Sequence, residues 1–238
     1  MMSNFPAQDR YLNYAQDTTQ ERSVAKFFHM VYLWMAVGLA LTGLVSAGIS
    51  QFAPQLFVSN PMVAVGAAIG AFLLAMAAQR VALQVGMLAG LGLFMLYAAV
   101  IGLMIAPIWV IYKAETIGAA FLLTGGSFAI MSLIGFITKM DLSKIGAMAI
   151  MCAIGLFLAS MVNIFLASNT LSWIITYAVV AVFTVIAIWE TQKLKNFAIE
   201  NAHNSEANSR MAVFGAIVLY ITFINLFMAI LRILGGKR

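Results

Sequence analysis

Long intervals of this chain hold no charged residue, among them one from Arg80 to Lys113 and a second from Lys144 to Glu190. Such runs cannot face water along their length. Even a well-packed domain of this size leaves about 30% of its chain surface exposed. The rest of the sequence offers little more cover: 63% of the 238 residues are hydrophobic and 9% are charged, against roughly 25% charged in an ordinary soluble domain. A water-soluble globular fold is excluded. In lipid every backbone N–H and C=O must bond internally, so apolar runs of about 20 residues predict helices that cross the bilayer.

The ends of the runs count the helices. The sequence predicts spans at 27–49, 62–78, 85–106, 117–137, 145–167, 173–189 and 211–231. Ser59-Asn60-Pro61 marks the first turn. Ser168, Asn169, Thr170 and Ser172 divide the second charge-free interval in two. The expected fold class is all-α, a polytopic membrane protein built as a bundle of seven transmembrane helices. Residues 1–23 form a polar tail and residues 24–238 the membrane domain. The tail is not a processed secretory signal, because the first apolar run starts late and is too long for one.

Nine of the 13 Lys/Arg fall on one side of this topology: Arg10, Arg22, Lys26, Arg80, Lys139, Lys144, Lys193, Lys195 and Arg210. Lys113, Arg232, Lys237 and Arg238 fall on the other. The bias of cations toward the inner face predicts a cytoplasmic N-terminus. It also disposes of a nucleic-acid partner, since the net charge of +5 marks helix ends rather than a basic patch. Membrane lipid is the partner expected of every span. Cys152 is the single cysteine, so an intrachain disulfide is impossible.

Catalytic patterns are missing. There is no HExxH, no phosphate-binding loop and no His/Cys ligand set. Gly125-Gly126-Ser127 suggests a serine nucleophile, but no histidine lies in a later span to act as its base. Asp141 is the only aspartate after Asp17, which removes a two-aspartate membrane protease. The chain is expected to be neither an enzyme nor a cofactor carrier. The glycines suggest close helix contacts, with Gly66/Gly70, Gly86/Gly90 and Gly38/Thr42 spaced four apart.

Ionisable groups at the span edges are the better functional markers, because burying them is expensive. Arg80 closes span two and Glu190 closes span six. A carboxylate snorkels poorly, so Glu190 needs a cation, and Arg80 lies at the same end of the bundle. A Glu190–Arg80 pair is expected to close a pathway on the cytoplasmic side and to loosen when Glu190 is protonated. Asn163, Asn225 and Thr222 are the uncharged polar candidates within the bundle.

Several stretches together carry a family resemblance. They are VYLWMAVGL at 31–39, GFITKMDLS at 135–143, ASMVNIFL at 159–166, ETQKLK at 190–195, LYITFINLF at 219–227 and LRILG at 231–235. From Lys26 onward the chain resembles the Bax inhibitor-1 family in its bacterial inner-membrane branch. That resemblance implies a seven-helix bundle with the last helix near its centre, and a pH-sensitive leak of calcium or another cation. In such members two aspartates on the last two spans share a proton near an arginine from span two. Here the first position is Glu190, the second is Thr222, and Arg80 is the nearest match to the arginine. Two like charges that share a proton titrate together. One carboxylate cannot, so any proton response rests on Glu190 alone. Some bacterial relatives resemble modulators of a membrane-bound AAA protease, a second expected partner class, with the tail as the handle.

Overall fold

The computed structural model describes the backbone of residues 6–50 and 61–236, and the side chains of 20–50 and 66–236. Helix α1 is Pro6–Ser50, α2 Pro61–Gln84, α3 Met87–Ile105, α4 Ile108–Ile111, α5 Ala114–Ile137, α6 Ser143–Leu166, α7 Asn169–Glu200 and α8 Ser205–Gly235. Among the described residues seven helices are long and apolar enough to cross a membrane, the number the charge-free intervals predict.

The boundaries differ at informative places. Helix α1 continues without a break from residue 6 through the tail into the first span. Helix α7 runs to Glu200, well past the predicted end at 189, so Glu190 lies inside a helix rather than at its end. Pro107 has no N–H to continue α3, and the single turn of α4 follows it before Tyr112 returns to extended backbone. Gly86, with φ 152°, makes the tight turn from α2 to α3.

Helix α8 is the axis of the bundle. Its membrane segment is 61% buried, against 11% for α6, and α1, α2, α3, α5 and α7 all pack against it. The last helix is central, as the family resemblance implies. Helix α6 packs chiefly on α7 and shows most of its length to the surroundings.

Lipid supplies no hydrophobic drive between helices, so close approach and interhelical hydrogen bonds hold the bundle. Spacing finds only some of the glycines that let helices touch. Of those it marks, Gly38 meets Phe94 and Gly90 meets Ala82, but Gly66 and Gly70 have no neighbour among the described residues where a Cβ would be; Gly102, which meets the Thr42 backbone, and Gly215, which meets Leu194, are not marked by spacing. Near mid-bundle, Thr42 Oγ1 lies 2.5 Å from Tyr220 Oη and within 2.9 Å of the Gly38 and Ala98 carbonyls. One hydroxyl proton serves a carbonyl, and Tyr220 donates to the oxygen. This links α1, α3 and α8. Tyr220→Phe is expected to lower stability by about 1 kcal/mol, read as a lower unfolding midpoint in detergent.

The α5–α6 loop is capped from its own sequence. The Ser143 N–H donates to Asp141 Oδ1 at 2.9 Å, satisfying a free N–H of the first turn of α6. Hydrogen bonds from the Ser143 side chain and backbone, helped by Lys144, hold the exposed Asp141 carboxyl below its ordinary range. A depressed carboxylate stabilises the fold above its unfolded value of about 3.9, and that contribution fades as pH falls through the depressed value. Asp141→Asn is expected to flatten this small acid-side slope in a series of melting curves.

Candidate functional site

Glu190 sits on a stripe of α7 with Phe183, Ala187, Leu194 and Ala198, all buried, at the three- and four-residue spacing of one helix face. Only 4% of Glu190 is exposed. Among the described residues its Oε2 has no hydrogen-bond partner. An ionised carboxylate held this way costs several kcal/mol unless a cation stands close. Among the described residues the cation within reach is Lys193, one turn along the same helix, with Nζ 3.9 Å from that oxygen.

Lys193 is in turn held by two rings. Its Nζ lies 5.0 Å from the centroid of Trp189 on α7 and 5.6 Å from that of Phe214 on α8, within cation–π range. Carboxylate, ammonium and rings together close the α7–α8 interface at the end nearer the α7–α8 connection.

The structure does not form the Glu190–Arg80 pair that the sequence suggests. Arg80 lies in the last turns of α2 with its side chain exposed, and the ion partner of Glu190 is Lys193. The physical reason is local. Lys193 is three residues away on a continuous helix, so the pair costs no interhelical reach. Lys193 escaped the sequence reading because span six was ended at 189. The signal that reveals it is the three-residue spacing within ETQKLK.

Thr222 is buried on α8, 1% exposed. Leu194 packs onto Gly215, and α7 and α8 run antiparallel. Glu190 is therefore level with about Leu219, and Thr222 lies roughly 4.5 Å further from the α7–α8 connection. The two positions that the resemblance pairs thus share one interface. Asn225 is one turn beyond Thr222 on the same face, its Nδ2 donating to the Ile221 carbonyl at 2.8 Å. Asn163 does a different job. Its Nδ2 donates to Ser172 Oγ at 3.0 Å and its Oδ1 accepts from the Ser168 N–H at 3.2 Å. It ties the α6–α7 turn and takes no part in the Glu190 region.

Residues 188–192 are gripped from both sides. A Cβ on Gly135 of α5 would meet the Ile188 carbonyl, and one on Gly146 of α6 would meet the Trp189 indole. Gln192 Nε2 donates to the carbonyls of Thr138 (3.1 Å) and Met140 (2.7 Å), and its Oε1 accepts from the Leu142 N–H (3.2 Å). The stretches GFITKMDLS and ETQKLK, distant in sequence, meet here. Gln192→Ala is expected to remove about 2 kcal/mol, from three bonds at 0.5–1.5 kcal/mol each with partial replacement by water. Faster amide exchange across 138–142 is the readout.

A cavity of about 650 Å³ opens at the other end of the bundle, where Asn225 and Arg232 contribute to its lining. Glu190 and Thr222 do not line it. Leu219 and Leu226, both fully buried, flank Thr222 and Asn225 along α8.

Residues 24–238 match the family model described as Inhibitor of apoptosis-promoting Bax1. The chain is 37% identical to Inner membrane protein YbhL of Escherichia coli K12 over the whole of both chains. It is 35% identical to a protein of Deinococcus radiodurans, covering 92% of this chain and 95% of that one. It is 32% identical to a protein of Borreliella burgdorferi, covering 93% and 98%. The family match takes in every described helix from the first span onward, including the α5–α6 loop, the Glu190 region and the central α8. This chain is an integral membrane protein and belongs to the Bax inhibitor-1 family.

Proposed function

We propose that the protein is a proton-sensitive cation leak of the bacterial inner membrane, oriented with its N-terminus in the cytoplasm, and that Glu190 is its sensor. The observation that carries this reading is a buried carboxylate whose Oε2 has no hydrogen-bond partner among the described residues and whose neighbouring cation among them is Lys193. An intramembrane acid of this kind marks an ion or proton path by default. While Glu190 is ionised it holds Lys193, one turn along α7, against the Phe214 ring of α8. Protonation cancels that attraction, and the ammonium is free to withdraw toward the cytoplasm, from 43% side-chain exposure to full hydration. A path then runs along α8 from the Asn225 end past Thr222 to Glu190, with calcium or another cation as the cargo. The orientation rests on the nine-to-four division of Lys/Arg, and the choice of membrane on the likeness to Inner membrane protein YbhL of Escherichia coli.

The test is cation flux into liposomes that contain only the purified protein, with and without residues 1–19. Flux that rises on acidification and survives the deletion supports the leak. No flux from pure protein, with a membrane-bound AAA protease captured only by the undeleted chain, supports the modulator role in its place.

A further inference from the structure

The end of the bundle far from Glu190, where the proposed path begins at Asn225, carries a pair of cavities whose chemistry the leak leaves unexplained. Two cavities adjoin there, of about 650 and 500 Å³, and both have Arg232 in their walls. They differ in chemistry. The smaller is lined by Ser160, Asn163, Ser168, Asn169 and Ser172 between α6 and α7. The larger is mostly an apolar trough whose sides include Met104, Ile108, Val179 and Met228.

Arg232 is half-buried where the two meet. Its guanidinium stands over the Trp173 ring, 5.4 Å from the centroid, within cation–π range. No carboxylate lies within ion-pair distance of it among the described residues. Among the described residues the acidic side chain at this end is Glu115, exposed in the first turn of α5. A half-desolvated guanidinium with hydroxyls and amides on one side and an apolar trough on the other is complementary to an amphiphilic anion. Arg binds phosphate oxygens through its planar fork, in two parallel hydrogen bonds. A free phosphate would fill only the polar cleft and leave the trough without a partner in a membrane whose solvent is acyl chain.

We infer that this pair of cavities is a phospholipid site, with the lipid phosphodiester on Arg232 and the polar cleft, and one acyl chain in the trough. The site does not depend on the leak reading. Arg232 is part of LRILG, and its place beside Trp173 gives that stretch a binding role as well as a packing one.

The experiment measures thermal unfolding and native mass spectra of the full chain in detergent. Three probes are added: phosphatidylglycerol, diacylglycerol without phosphate, and water-soluble glycerol 3-phosphate. Phosphatidylglycerol is expected to raise the melting temperature and to remain bound in the mass spectrum, while the other two do much less. Arg232→Gln is expected to weaken phosphatidylglycerol at least about tenfold, the scale of one lost charge-assisted contact. Val179→Phe, which fills the trough and leaves Arg232 in place, is expected to weaken it too and decides the matter if Arg232→Gln does not fold. Unchanged phosphatidylglycerol binding in a folded variant overturns the proposal. So does a diacylglycerol response equal to that of phosphatidylglycerol, which means greasy filling alone, or an equal glycerol 3-phosphate response, which means a phosphate site without lipid.

Discussion

Gly135→Val is expected to prevent most of the chain from reaching its folded bundle. A Cβ at this position would press on the backbone carbonyl of Ile188 and on Thr191. A backbone atom cannot rotate away, so α5 and α7 must separate. Overpacking commonly costs about 1–3 kcal/mol, and more where the obstacle is rigid. Here the loss is larger in consequence, because helices in lipid cohere through such close contacts. We expect at least about 3 kcal/mol and a collapse in the yield of monodisperse protein after extraction. Gly125→Ala is the control. Its Cβ would meet nothing, so it is expected to stay within about 0.5 kcal/mol of the parent. Equal yields of the two variants would show that the α5–α7 contact is not a clamp.

Glu190→Leu is expected to make the protein more stable and less responsive. The native site keeps a carboxylate almost fully out of water with an orphaned Oε2. Replacing a buried ionic group by an apolar one of similar volume is often neutral or stabilising by about 1–4 kcal/mol. The Lys193 side chain is already 43% exposed, so its ammonium can turn fully into solvent and no unpaired buried charge is left behind. The unfolding midpoint should therefore rise while proton-dependent flux disappears. A lower midpoint would mean that the carboxylate makes a structural contribution outweighing its desolvation. Stability given up at a buried charge is the usual mark of a functional site.

Much of this was legible in the sequence because scarcity of charge is an unambiguous signal in a membrane protein. The intervals between Arg80 and Lys113 and between Lys144 and Glu190 marked the spans, and the polar run at 168–172 divided the second into α6 and α7. Helix ends were harder to read. Polar residues such as Thr191, Gln192 and Lys193 look like a loop in sequence, yet α7 carries them onward because it packs against α8 and the α5–α6 loop. The same misplacement at residue 189 hid Lys193 and put Arg80 forward, since a span edge invites an interhelical partner. Packing glycines could not be chosen by spacing alone. Whether Gly66 or Gly135 touches a neighbour depends on the rotation of each helix, and every face of these helices is apolar. Arg232 was legible as a cation at a span end, but the cavities around it arise where α3, α4, α6, α7 and α8 meet.

The central claim is that Glu190 is the proton-responsive element of a cation leak. It is tested most directly by comparing cation flux of parent and Glu190→Gln protein in the same liposomes across a series of pH values. Gln keeps the shape of the protonated acid but cannot ionise or hold Lys193. The account predicts flux that climbs on acidification for the parent, and a raised, pH-independent flux for Glu190→Gln. A variant whose pH profile overlays that of the parent would contradict it.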